Sequence, residues 1–171
     1  MSAPTRAPLH PLIDATGAAV ADDPDRALAV FRATGTGGEG VRSHVRVGRH
    51  ELLVDEPPAL GGADDAANPV EHALAALLSC QVVTYRFWAD KLGIPLDDVD
   101  LELEGDLDVR GFFGFDDAVR PGFGEVRVRV RLSGPADDER YAELQRAVDE
   151  HCPVLDLFRN PTRVVTTRVT G

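Results

Sequence analysis

The sequence predicts an α+β fold in which antiparallel sheets surround a long buried central helix. Three observations carry this. The first is an uncharged run from Ala73 to Tyr85. Wound as a helix it is apolar on every face and needs protein around it rather than water. The second is a set of short segments, before and after that run, whose side chains alternate with a period of two between Gly- and Pro-rich turns. The third is their order: strands, helix, strands, second helix, last strand. That order lacks the strand–helix alternation of a parallel α/β sheet. At 171 residues and 43% hydrophobic, the chain suffices for one domain of ordinary size or two small lobes sharing a core.

Residues 1–26 contain Pro4, Pro8, Pro11 and Pro24 and only short apolar islands. They are expected to be extended or poorly ordered. Residues 27–171 are expected to form a single domain. Residues 29–34 read as a strand, followed by a Gly-rich turn over residues 35–40. Residues 41–47 form the next strand, with Ser43, Val45 and Val47 on one face and Arg42, His44 and Arg46 on the other. After a turn at residues 48–50, residues 51–55 give a third strand, so the three make a meander. Pro57-Pro58 and Gly61-Gly62 lead into the central helix, residues 68–91. Asn68 fits its N-cap, Pro69 its first turn, and Glu71 the acid of a capping box. Gly93 and then Pro95 end it.

Beyond the helix, residues 99–109 alternate Val99, Leu101 and Leu103 against Asp100, Glu102 and Glu104, a strand with one wet face. Residues 110–124 form a loop rich in Gly and Phe. Residues 125–132 set Val126, Val128 and Val130 against Arg127, Arg129 and Arg131, a solvated or cross-strand-paired face. Residues 135–150 give an amphipathic helix with Tyr141, Leu144, Ala147 and Val148 on its apolar side. Cys152-Pro153 opens a short helix to Phe158, and residues 163–169 read as a last strand.

Composition excludes several function classes. The formal net charge of -11 disfavours nucleic acid and anionic membrane surfaces. The uncharged run falls short of the roughly 18–20 residues of a membrane span. No basic segment followed by an apolar one opens the chain, and its 2 cysteines are too few for a disulfide-stapled fold, so a reducing cytoplasm is expected. The spacing of Cys80, Cys152, His151 and His72 fits no zinc pattern, and no metal or cofactor is expected.

The two cysteines carry the candidate chemistry. Cys152, just before a proline at a helix start, sits where unpaired N–H groups favour a thiolate, and a protonated His151 would add to this. It also reads simply as a buried cysteine. Cys80 lies mid-helix in apolar surroundings, which raise a thiol's pKa and make it inert unless a cation reaches it. Arg42, Arg46, Arg49 and Arg86 are the candidates.

The pattern Asn68-Pro69-x-Glu71, the Ala/Leu-rich run ending Ser79-Cys80, Gly105-Asp106-Leu107-Asp108, Arg110-Gly111-Phe112-Phe113-Gly114 and His151-Cys152-Pro153-Val154 together resemble the OsmC/Ohr family. These are bacterial osmotically inducible and organic-hydroperoxide-resistance proteins, and the likeness spans roughly residues 27–169. The resemblance implies an OsmC-like fold, an intertwined homodimer and a thiol-dependent peroxidase. By motif, Cys80 is the peroxidatic residue and Cys152 the resolving one, the reverse of the order that local thiol acidity suggests. The substrate implied is an organic hydroperoxide and the reductant an external dithiol. Glu71 would position an activating arginine, for which Arg42 and Arg49 are candidates; the turn at residues 37–40 carries Glu39 where an arginine might be expected. Nine residues along a helix rise about 13.5 Å and turn about 180°, so Glu71 cannot reach Cys80 in one chain. A shared site would be formed across a two-fold between antiparallel central helices. Phe112, Phe113 and Phe115 suit a pocket for an alkyl chain; the same rings suit core and dimer packing. A second reading keeps the fold and drops catalysis: an OsmC-like stress or ligand-binding protein with buried, slow cysteines.

Overall fold

The computed structural model describes residues 9–170; the expectation for residues 1–8 lies outside them. The chain divides into two compact units, one up to Ala75 and one from Ala76.

In the first unit, helix α1 (His10–Asp22) occupies half of the stretch expected to be extended or poorly ordered, and a 3-10 turn, Pro24–Ala27, follows it. The correction has a plain cause. Pro11 sits in the first turn, where a missing N–H breaks no intrahelical bond, and the Ala-rich remainder has high helix propensity. No residue of α1 is buried. Strands β1 (Ala33–Gly37), β2 (Ser43–Val47) and β3 (His50–Val54) form an antiparallel meander in the order β1-β2-β3. β1 therefore lies later than expected and runs into the glycines read as a turn. Pairing decides this: Gly35 stands opposite Val45, and Gly37 opposite Ser43. The turn is tightened instead around Gly40, with the Gly38 N–H donating to the Arg42 carbonyl at 2.7 Å.

Helix α2 (Pro69–Lys91) begins in the first unit and continues into the second. Its capping box is complete. Asn68 Oδ1 accepts from the Glu71 N–H at 2.9 Å, and the Asn68 N–H donates to Glu71 Oε2 at 2.8 Å. At the other end Gly93 adopts φ +62°, and the Ile94 N–H returns to the Ala89 carbonyl at 2.8 Å. This is a Schellman ending, which needs a left-handed residue and seats an apolar side chain just past it. Ile94 is buried there.

The second unit holds the main core. From α2, Leu77, Tyr85 and Ala89 join Leu144 and Val148 of α4 (Asp138–His151) and Leu155 of α5 (Pro153–Arg159) in one cluster. β4 (Asp98–Leu107) and β5 (Phe123–Ser133) form a two-stranded antiparallel sheet. Leu101 stands opposite Val130 and Leu103 opposite Val128, and all four pack on that cluster. On the other face Arg127 pairs with Glu104, Asp106 and Glu125, and Arg129 with Glu102 and Glu104. The arginine face is thus largely a cross-strand ion-pair ladder. The loop expected at residues 110–124 starts with a short helix, α3 (Val109–Phe113), capped by Asp108. The expected last strand is absent: residues 161–170 have no regular structure. Strand propensity yields no ladder without a neighbouring strand, and both described sheets are complete without it.

Leu144 is fully buried, so Leu144→Ala should cost about 2–5 kcal/mol. Leu157, more than half exposed, should tolerate alanine within about 0.5 kcal/mol. Urea unfolding of the two variants checks the contrast.

Candidate active site

Two thiols far apart in sequence belong to one packed core in the second unit. Cys80, half-buried on α2, and Cys152, 2% exposed at the α4–α5 junction, are both free, and Cys80 packs against the core cluster that contains Cys152. Local structure places each. Cys80 lies on the flank of α2 between Leu77 and Thr84, both buried. Cys152 ends α4 and starts α5, with its N–H on the Val148 carbonyl at 2.9 Å and its carbonyl accepting from the Asp156 N–H at 3.0 Å. Pro153 fits the turn that follows because the first helical position needs no N–H.

The electrostatics of Cys152 follow from its burial. Desolvation pushes the thiol up from its ordinary value, the Leu155 backbone N–H pulls it down, the Cys80 thiol adds to the rise, and the Thr84 hydroxyl opposes it. Burial, with the negative charges of Asp149 and of the Cys152 thiolate nearby, lifts Tyr85 to about 12. The His151 ring lies instead on Trp88, with centroids 4.2 Å apart, and its Nδ1 is 2.8 Å from the Ala147 carbonyl. Gln81, next to Cys80, is buried, and its Oε1 has no hydrogen-bond partner among the described residues. Sequence reasoning missed Thr84; its place one turn after Cys80 was the available signal. Arg86, one of the cations considered for Cys80, donates to the carbonyls of Leu96 and Asp97 and to Asp98.

The other candidates stand elsewhere. Glu71 is engaged in the capping box. Arg42 is paired with Asp55 at 3.5 Å and with Asp65, inside the first unit. Asp55 is buried yet ionised: desolvation raises its pKa, but the backbone N–H groups of Glu56, Asp65 and Ala63 and the Arg42 charge outweigh it and hold the carboxyl below 3.8. Arg49, beside the β2–β3 turn, is exposed and has no ion pair among the described residues. Phe112, Phe113 and Phe115 form an exposed stack, with centroids 5.1 and 5.2 Å apart. Their loop is pinned by Arg110, which pairs with Asp108 at 2.5 Å and Asp116 at 3.6 Å. An open cavity of about 550 Å³ at this end of β4 and β5 is lined by Leu107, Val109, Val119 and Arg120 rather than by the three rings.

Comparisons with known proteins bear on the family and the fold. The model of the family described as OsmC-like protein matches residues 62–167. An organic hydroperoxide resistance protein OsmC from Legionella pneumophila is 27% identical, with 77% of this chain and 90% of that one covered at a TM-score of 0.61. An organic hydroperoxide resistance protein from Elizabethkingia anophelis is 25% identical over 77% and 89% of the two chains, TM-score 0.61. An OsmC-like protein from Mycoplasma pneumoniae, at 15% identity, shares the fold over 77% and 88% with a TM-score of 0.66. No curated protein sequence matches. Among the described residues no helix is long and apolar enough to cross a membrane.

The state of Asp55 sets a pH dependence. Its folded pKa is depressed, so its stabilising contribution is present above the unfolded value and is lost as pH falls through the folded one. Thermal melts from pH 6 downward should show the gap between the native chain and Asp55→Asn closing below pH 3.8.

Proposed function

The chain belongs to the OsmC-like protein family, and from that premise we propose that it is a thiol-dependent peroxidase acting on organic hydroperoxides. The observation that carries the reading is that Cys80 packs against the core cluster that contains Cys152, both of them free thiols. In the first step the Cys80 thiolate attacks the hydroperoxide O–O bond. A sulfur–oxygen bond forms, the alkoxide leaves and takes a proton to become the alcohol, and Cys80 becomes a sulfenic acid. In the second step Cys152 displaces the hydroxide from that sulfur, giving a Cys80–Cys152 disulfide and water. An external dithiol returns both cysteines to thiols in a reducing cytoplasm. Cys80 is the better first nucleophile because it is the more open of the two, whereas Cys152 is buried and held as a thiol at neutral pH.

The activating cation is assigned to Arg49 ahead of Arg42, because two carboxylates already neutralise Arg42. The exposed stack of Phe112, Phe113 and Phe115 offers apolar surface for the alkyl group. A homodimer is supported by apolar side chains that a single chain leaves open: Val70 and Val83 on α2, and Val164, Val165 and Val169 in the irregular C-terminal segment. Within such a dimer Glu71 of one chain would serve Cys80 of the other.

Mass spectrometry after one equivalent of an organic hydroperoxide tests the reading. The native chain should lose two hydrogens as a Cys80–Cys152 disulfide, Cys152→Ser should stop at a sulfenic acid on Cys80, and Cys80→Ser should leave the peroxide unconsumed. Unchanged thiols in the native chain would instead favour a non-catalytic OsmC-like stress or ligand-binding protein, the reading that the burial of Cys152 supports. Mixing Glu71→Ala with Cys80→Ser chains tests the shared site: activity should reappear in the mixed dimers, and its absence there removes the trans role of Glu71.

A further inference from the structure

The open cavity at the end of β4 and β5 takes no part in the thiol chemistry. Its volume, about 550 Å³, is that of a small-molecule site. No cysteine, no residue of α2 and none of the three exposed phenylalanines lines it. Leu107, Val109 and Val119 give it an apolar wall. The backbone builds it. Asp106 stands opposite Glu125 and Leu107 opposite Phe123, so Gly124 is an extra residue with no place in the ladder. A bulge of this kind bends its strand and ends regular pairing, and bulges recur beside binding sites. The far side is held as firmly. A Cβ on Gly111 would stand 2.5 Å from the Arg120 carbonyl oxygen, so α3 is seated on the backbone of residues 119–120 and only glycine fits there. Asp116 fixes the same stretch. Its side chain accepts from the Ala118 N–H at 3.0 Å and its carbonyl from the Val119 N–H at 3.1 Å.

Three ionic side chains line the cavity: Asp106, Asp108 and Arg120. The two carboxylates are already engaged. Arg127 donates to both oxygens of Asp106, and Arg110 to both oxygens of Asp108. Arg120 has no ion pair among the described residues. In a chain of net charge -11, an arginine left uncompensated at a cavity is a local exception. Its place is also defined. A Cβ on Gly122 would sit 3.5 Å from Arg120 Nη2 and 3.9 Å from its Nε, so the guanidinium lies along the backbone at Gly122, itself a lining residue. A planar fork of N–H donors beside an apolar wall is complementary to a carboxylate carried on an apolar body.

We propose that this cavity is a second binding site, for a small alkyl carboxylate, with Arg120 holding the carboxylate and Leu107, Val109 and Val119 covering the alkyl chain. Binding there makes and breaks no covalent bond and uses neither cysteine, so it is independent of the peroxidase reading.

Titration of the full-length chain with decanoate, below its micelle concentration, tests the site by calorimetry and by backbone amide shifts in nitrogen-labelled protein. Binding should saturate, with the shifts centred on Leu107, Val109, Val119, Arg120, Gly122 and Gly124. Arg120→Gln should weaken it at least about tenfold, the loss expected for a hydrogen bond to a charged group. Arg120→Lys keeps the charge but not the fork and should fall between the two. Decanol and decyltrimethylammonium, which share the chain but not the carboxylate, should bind at least about tenfold more weakly than decanoate. Arg120 is exposed, so its variants should melt with the native chain, and a weakened affinity then reports the site rather than the fold. Cys80→Ser should bind decanoate as the native chain does. Absence of saturable binding, native affinity in Arg120→Gln, decanol binding as tightly as decanoate, or shifts centred on Phe112, Phe113 and Phe115 would each overturn the proposal. A chain that binds decanoate in this way but consumes no hydroperoxide keeps the site and loses the peroxidase reading alone.

Discussion

Burial of one face of α2 against α4 and α5 is the constraint on which the rest of the second unit depends. Leu77, Tyr85 and Ala89 share a cluster with Leu144, Val148 and Leu155. Each large apolar side chain removed from water contributes about 1.5–3 kcal/mol. Their spacing along α2, four or eight residues apart, fixes which way the helix faces. Cys80 lies three residues after Leu77 and five before Tyr85, so the rotation that buries those two also turns Cys80 toward the α4–α5 junction. The pairing of the cysteines is therefore a by-product of ordinary helix packing, and needs no strained backbone to hold it.

The same burial sets the chemistry against itself. A thiol surrounded by Leu144, Val148 and Leu155 resists ionisation, yet a resolving cysteine must reach a thiolate to act. The structure meets this with short-range polar contacts rather than with a full charge. The Leu155 N–H and the Thr84 hydroxyl favour the Cys152 thiolate, while the nearest histidine, His151, is turned onto Trp88. The strong ion pairs lie elsewhere: Arg42 on Asp55 and Asp65, and the Arg127 and Arg129 ladder on the outer face of β4 and β5. Those pairs order the loop before α2 and the exposed face of the sheet.

What was legible in the sequence was what is decided locally. Asn68, Glu71 and Gly93 mark the ends of α2 because a cap is made by residues within a few positions of one another. The alternation of Val126, Val128 and Val130 with arginines set the faces of β5 for the same reason. Non-local pairing was hidden. β1 occupies Ala33–Gly37 because β2 lies opposite, a fact that the strand propensity of residues 29–34 does not contain. Residues 163–169 have that propensity too, and without a partner strand they make no ladder. The two cysteines were joined by resemblance to a family, not by spacing.

In the proposed reaction, the junction at Cys152 is what lets a resolving position tolerate such burial. A disulfide needs Cβ atoms about 3.5–4.5 Å apart, and Cys80 already packs against the cluster that holds Cys152. The backbone at Cys152 is extended, with φ −77° and ψ 113°, between two helices. The residue caps both helices, its N–H closing the last turn of α4 on Val148 and its carbonyl accepting the Asp156 N–H of α5. α5 is only 7 residues long, and of these Leu155 alone is buried, so little core is disturbed when the junction adjusts. Cys80, mid-helix on α2, has no such freedom. In the proposed reaction the adjusting partner is therefore Cys152, and the fixed one is Cys80.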